Sequence, residues 1–195
     1  MIGTIIVVAT ISIMLFILIY VYFKCKRGYS SDNSLSKSIE LLTIIASLAT
    51  IIALFVAIST YNQGIKIQNE NDKFILENLI TEIEGNLLSI EYFETNIEGY
   101  KEKPHIVISY LKYNYMERAV NFIKDNTLRR KMIIAIDDMQ QSNYLKDNIR
   151  NLPAPSEARS TDIDTLNRTN VRITPKLVFI NQTVAKILQK EYKKV

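Results

Sequence analysis

An all-α fold is predicted for this chain: a two-helix transmembrane hairpin, then a long amphipathic helix and a small helical bundle. Three observations carry that expectation. Only six of the 44 charged residues (Lys24, Lys26, Arg27, Asp32, Lys37, Glu40) lie in the first 65 of 195 positions. That part contains two uncharged stretches, each long enough to cross a bilayer. Beyond them, apolar residues recur with a helical period, and turn-forming residues are confined to a few places. The overall mean hydropathy of +0.04 therefore averages two regions built for different solvents. With 48% hydrophobic residues, five glycines, four prolines and one cysteine, the composition excludes a disordered chain, a collagen-like repeat and a disulfide scaffold.

The first span is assigned to residues 1–23, which carry no charged side chain. As a helix they measure about 35 Å, against a hydrocarbon core of about 30 Å. A cleaved signal peptide fits poorly. No Lys or Arg precedes the run, it exceeds an h-region in length, and no small-residue cleavage site follows. The second span is assigned to residues 41–61, within an uncharged stretch that ends at Ile65. The intervening loop, 24–40, holds Lys24, Lys26, Arg27 and Lys37, whereas only Lys66 and Lys73 follow the second span closely. The bias of basic residues places the loop on the cytoplasmic side and the bundle outside. Tyr20, Tyr22, Phe23 and Tyr61 suit the membrane interface, and Cys25 is read as an unmodified thiol. Neither span carries an ionisable residue, so neither a proton relay nor a transport path is indicated. Ala49, Ala53 and Ala57 form a small-residue stripe. It packs against the first span or, in the sharper reading, against a second copy.

The amphipathic stalk helix is assigned to 62–99. Leu76, Ile80, Ile83, Leu87, Ile90 and Ile97 follow a 4-3 spacing, and Leu79 and Phe93 widen the face. A face wider than a two-position seam favours one helix of an intramolecular bundle over a coiled coil, and Gly99 is the expected stop. The bundle is assigned to 100–195. Pro104 is read as the first residue of a helix containing Ile106, Val107, Tyr110, Leu111, Met116, Val120 and Ile123. A third helix is expected from Leu128 to Asn151, with Met132, Ile133, Ile136, Met139, Tyr144, Leu145, Ile149 and Leu152 turned inward. Pro153 to about Thr161 reads as irregular and Asp162 to Val171 as a short helix. Thr174 and Pro175 then read as the cap and first turn of a last helix reaching Tyr192.

The search for chemistry yields no catalytic residue, cofactor site or metal ligand set. A single His, His105, and a single Cys exclude histidine-rich metal clusters, zinc ribbons and CxxC pairs. The five glycines are too scattered for a phosphate-binding loop. Ser34 and Lys37 match an S-x-x-K pattern but stand in a loop without its companion motifs. The stalk is acidic and the later helices basic, with 15 basic against eight acidic residues from Arg118 onward. A solvated face and intramolecular attraction account for that division. Arg129, Arg130 and Lys131, with Lys124 one turn earlier, form the strongest basic cluster and are candidates for an anionic partner or lipid headgroups. Tyr110, Tyr113 and Tyr115 are read as bundle-edge residues, and nucleic acid is disfavoured as a partner.

The expected function is a membrane-anchored, non-enzymatic helical module for protein interaction or self-assembly, in a sensory, scaffolding or defence setting. Its partners would be the lipid bilayer, a second copy and an unidentified protein. Assembly is assigned to Ala49, Ala53, Ala57, Leu76, Ile80, Ile83, Leu87 and Ile90. The competing expectation is a membrane-perturbing effector whose hairpins oligomerise in the bilayer.

Overall fold

The computed structural model describes residues 32–103 and 107–192, together with Phe16, Ile17, Ile19, Tyr20 and Phe23, and the described residues contain helices and no strand. Five helices follow in order: α1 (Asp32–Thr95), α2 (Ile97–Glu102), α3 (Asn114–Val120), α4 (Asn126–Asn151) and α5 (Glu157–Glu191). The chain divides into two compact units, Met1–Gln68 and Asn69–Val195, and α1 contributes residues to both. The absence of proline from its 64 residues lets the backbone ladder run without interruption. It begins at Asp32, so residues 32–40, expected as loop, are helical. Asp, Asn and Ser at 32–34 are the residue types that start helices.

In the first unit, α1 is long and apolar enough to cross a membrane, and none of its most apolar window is buried. Three of its hydroxyls are bonded within the helix. Ser47, Thr50 and Thr60 donate to the carbonyls of Thr43, Ala46 and Val56 at 2.8, 2.9 and 2.9 Å, so they need no partner from the surroundings. Most of the first uncharged run, Cys25 and much of the basic loop lie outside the described residues. The five described residues of that run are helical, and Phe16, Ile19, Tyr20 and Phe23 are exposed.

The second unit is a helical bundle with two apolar clusters. The larger joins Leu76, Leu79 and Ile83 of α1, Met116 of α3, Leu128 and Met132 of α4, and Leu177 and Val184 of α5. The smaller joins Phe93, Tyr100, Ile108, Ile149, Ile163 and Leu166, with the Phe93 and Tyr100 rings stacked at 5.1 Å. The buried seam of α1 runs Leu76, Leu79, Ile83, Asn86, Ile90 and Phe93, a 3-4 alternation in which a polar residue occupies one core position. Ile80 and Leu87 flank it, half-buried.

Four local expectations are corrected. α1 stops at Thr95, not at Gly99, and Gly99 lies inside the short helix α2, whose C-cap N–H at Lys103 bonds Gly99 O. Residues 107–113 are not helical, and in the described part of the helix expected from Pro104 the helical residues are Asn114–Val120; Pro104 itself lies outside the described residues. The Val107-Ile108 pair is β-branched and favours extended backbone, and the helices on either side supply hydrogen bonds to residues 109–112. In α4, Ile133 and Tyr144 face solvent, and Leu128, Ala135, Asp138, Ser142 and Lys146 occupy buried positions in their place.

The fourth correction concerns the C-terminal third. The expected loop, short helix and last helix are one 35-residue helix, with Ser156 as N-cap and Pro175 in its interior. An interior proline costs about 3 kcal/mol. Ile163, Leu166, Ile173, Leu177, Ile180 and Val184 are each fully buried on one face of the continuous helix, at about 1.5–3 kcal/mol apiece. A break at Pro175 would forfeit more burial than it relieves. The ring itself is exposed, and Thr174 Oγ1 donates to Asn170 O at 3.0 Å beside it.

Candidate functional site

Residues 107–113 are the most heavily tethered irregular segment in the second unit. Asn86 of α1 takes both backbone groups of Lys112, accepting from its N–H at 2.8 Å and donating to its carbonyl at 2.5 Å. Asn143 of α4 does the same for Leu111, at 2.8 and 2.9 Å. Consecutive residues of an extended chain point their backbone groups to opposite sides, so one strand-like segment is paired by a helix on each flank. Lys146 adds a bond from Nζ to Ser109 O at 2.7 Å, and the Tyr110 hydroxyl bonds Asp147. Backbone N–H and C=O groups outside helix and sheet need other partners, and for Leu111 and Lys112 these asparagines supply them.

Two titratable groups beside this segment are shifted by burial. Lys146 is buried, and loss of hydration pushes its ammonium down to about 8. Glu82 of α1 accepts from the backbone N–H groups of Tyr115 and Met116 at 3.2 Å, closing the open N-terminus of α3 from another helix. Burial raises its pKa, and those backbone hydrogen bonds partly oppose the rise.

A second polar centre ties the ends of three helices together. Arg159, in the first turn of α5, is buried and donates from Nε to Tyr100 O at 2.9 Å and from Nη1 to Ile149 O and Leu152 O at 2.6 and 3.1 Å. Its Nη2 donates to Lys103 O at 3.2 Å. These carbonyls belong to the C-terminal ends of α2 and α4, where a cation is favoured by the helix dipole and unbonded acceptors need donors. Asp138 of α4 is likewise paired with Arg172, at 2.8 Å, and with Lys176 of α5. Among the described residues no group of three or more acidic, His or Cys side chains has metal-binding geometry. A shallow, largely apolar groove of about 460 Å³ lies along α5, lined by Glu94, Val171, Thr174, Pro175, Val178, Phe179 and Gln182.

The residues singled out from sequence fall in different places. Ala53 and Ala57 are exposed on α1 and Ala49 is half-buried. Leu76, Ile83 and Ile90 are buried in the larger core cluster, with Ile80 and Leu87 packed against it, so this stripe is covered by the chain's own helices. Arg129 and Arg130 are exposed, whereas the Lys131 ammonium lies 3.5 Å from the Phe179 ring centroid. Asp125, the acid nearest this cluster in sequence, caps α4 by accepting from Thr127 N and Leu128 N at 2.8 and 3.0 Å. Tyr115 meets Phe74 edge-on at 6.4 Å and carries the Arg118 guanidinium 5.6 Å from its ring centroid. His105 lies outside the described residues.

Asn86, Asn143, Lys146 and Arg159 were not singled out from sequence. Asn86 had a readable signal: it stands three residues after Ile83 and four before Ile90, a core position held by an amide. The chain matches no protein-family profile, and no curated protein and no solved structure is significantly similar to it.

Proposed function

We propose that this protein is a membrane-anchored, non-enzymatic helical module that presents its bundle for protein interaction or self-assembly. Two spans, 1–23 and 41–61, hold it in the bilayer, with loop 24–40 cytoplasmic and the bundle outside. The observation that carries the reading is the exposure of the apolar run of α1, none of whose most apolar window is buried. Side chains such as Leu54 and Phe55 need apolar surroundings that the described residues do not supply. The internally bonded hydroxyls of Ser47, Thr50 and Thr60 fit the same solvent. The buried polar groups of the bundle, Asn86, Asn143 and Arg159, are engaged with backbone atoms, which supports a role in holding the fold over one in turnover.

Assembly is assigned to the Ala49, Ala53 and Ala57 face, because Leu76, Ile83 and Ile90 are occupied within the bundle. The test is chemical crosslinking of the full chain in native membranes after alkaline extraction. Retention in the membrane and crosslinked oligomers lost in Ala53→Leu support the proposal. Release by alkali overturns the anchor, and oligomers unchanged by Ala53→Leu overturn the assembly face.

A further inference from the structure

We propose that the end of the second unit formed by the α3–α4 turn and the last turns of α5 docks on an anionic lipid headgroup surface. The proposal rests on the membrane anchoring argued above and names what the bundle itself touches. Its residues are Lys124, Arg129, Arg130, Lys186 and Lys190, all exposed and none in an ion pair among the described residues.

The fold brings these cations together from separate parts of the sequence. Lys131 covers Phe179, Asp138 meets Lys176, Ser142 bonds Asn170, and Arg159 reaches Ile149. These pairs fix α4 and α5 as antiparallel neighbours. Continuing their register sets Lys186 and Lys190 level with the turn that holds Lys124 and with the first turn of α4. That turn of α4 contains no acidic residue, so Arg129 and Arg130 face its positive dipole end and gain nothing locally from their position. Asp125, the acid between them and Lys124, is turned onto backbone N–H groups. Four other cations of the unit have partners: Lys101 has Glu98 and Asp164, Arg159 has carbonyls, and Arg172 and Lys176 share Asp138.

The basic end is also the end at which the chain enters the unit. Phe74 touches Tyr115, one turn from Arg118. The Tyr192 hydroxyl, raised by burial, also feels the carboxylates of Asp72 and Glu191, which places the end of α5 beside the start of the unit at Asn69. The first charged residue after the apolar run is Lys66, three residues before the unit begins at Asn69, so only a short stretch of chain separates the apolar run from the start of the unit. Each basic residue near an anionic surface strengthens association about five-fold.

Lysine acylation footprinting of the full chain tests the proposal, with Lys103 and Lys112 as controls in the same molecule. The chain is reconstituted into vesicles of phosphatidylcholine alone or with one-third phosphatidylglycerol. The expected result is that Lys124, Lys186 and Lys190 label about five-fold more slowly in the anionic vesicles, that high salt removes the protection, and that Lys103 and Lys112 do not change. Arg129→Glu with Arg130→Glu restores Lys186 to its phosphatidylcholine rate, and acids in the first turn of α4 favour that helix, so unfolding does not account for the change. Equal rates in both vesicle types, in a chain that resists alkaline extraction, overturn the lipid contact while leaving the anchor standing. Protection that is equal in phosphatidylcholine, or present in detergent without lipid, assigns the surface to a second copy or another protein and overturns the proposal as well. Extraction by alkali defeats the anchor itself.

Discussion

The two stretches of α1 are made of the same kinds of residue in opposite surroundings. Leu54 and Phe55 are 60% and 69% exposed, whereas Leu79 and Ile83 are fully buried. The difference lies in spacing. Apolar residues occupy the whole circumference of the helix from Leu41 to Ile58, but after Asn69 they narrow to one seam with charge on the other faces. An all-round apolar helix is matched by a solvent, and a striped helix by other helices. The two halves of this continuous helix therefore suit different surroundings, and substitutions on them should have separable consequences.

The largest expected effect comes from one charge placed in each half. Leu79→Asp buries an unpaired carboxylate in the larger core cluster and should cost the bundle about 5 kcal/mol, enough to unfold it. Leu54→Asp should leave bundle melting unchanged and cost about 3 kcal/mol in membrane insertion. Circular dichroism melts and membrane fractionation of the two variants check this. A Leu54→Asp chain that melts early would break the comparison, because the apolar run would then be part of the folded core. Next in size is Arg159→Met, which keeps the bulk but strips donors from the carbonyls of Tyr100, Lys103, Ile149 and Leu152. Its expected cost is about 4 kcal/mol, read from the denaturant midpoint. Retention of wild-type stability would show that those carbonyls find other donors.

The same contrast explains which parts of the fold were legible in the sequence. Helix class, the start of an irregular stretch at Pro153 and the helix expected from Leu128 to Asn151 follow from period and turn chemistry, which are local. The misread segments are those in which a distant residue decides. Residues 107–113 are extended because Asn86 and Asn143, 26 and 32 residues away, supply their hydrogen bonds. Helix α5 passes through Pro175 because its burial against α4 exceeds the proline's penalty. Arg159 looked like part of a polar loop, yet it is the donor for two helix C-termini, a role visible only once those ends converge. Of the candidate site residues, the Leu76–Ile90 stripe was readable as a buried face, whereas the pairing of the α4 cations with the end of α5 needed the antiparallel register.

Lys146 gives a pH-dependent test of the buried half. Its folded pKa of about 8 lies below the unfolded value of about 10.4. Between those values the unfolded chain holds the extra proton, so stability rises with pH across that window. Below pH 8 the folded state carries the whole desolvation cost, at most about 3 kcal/mol. Lys146→Met removes that cost and leaves Ser109 O without its donor, at about 1 kcal/mol. Measured against Lys146→Met, the wild-type chain should therefore gain stability from pH 7 to pH 10, with other groups cancelling between the two proteins. Parallel melting curves at both pH values would mean that the lysine is hydrated in the folded state.

The smallest expected effect locates the boundary between the two halves. α1 contains Gly64 and Gly85, and a Cβ added at either meets no atom within 4 Å. Neither glycine has a positive φ, so alanine fits both backbones without strain. Gly85 lies inside the bundle unit and Gly64 before its start at Asn69. Gly→Ala in a helix interior is worth about 1 kcal/mol through the reduced freedom of the unfolded chain. For Gly85→Ala this should raise the bundle's Tm by about 3–5 °C. Gly64→Ala should leave the melt unmoved, because residue 64 lies outside the unit that unfolds. Equal increments from both substitutions would mean that the cooperative unit reaches back past Asn69 toward the apolar run, and that the two halves of α1 are one folding unit in two solvents.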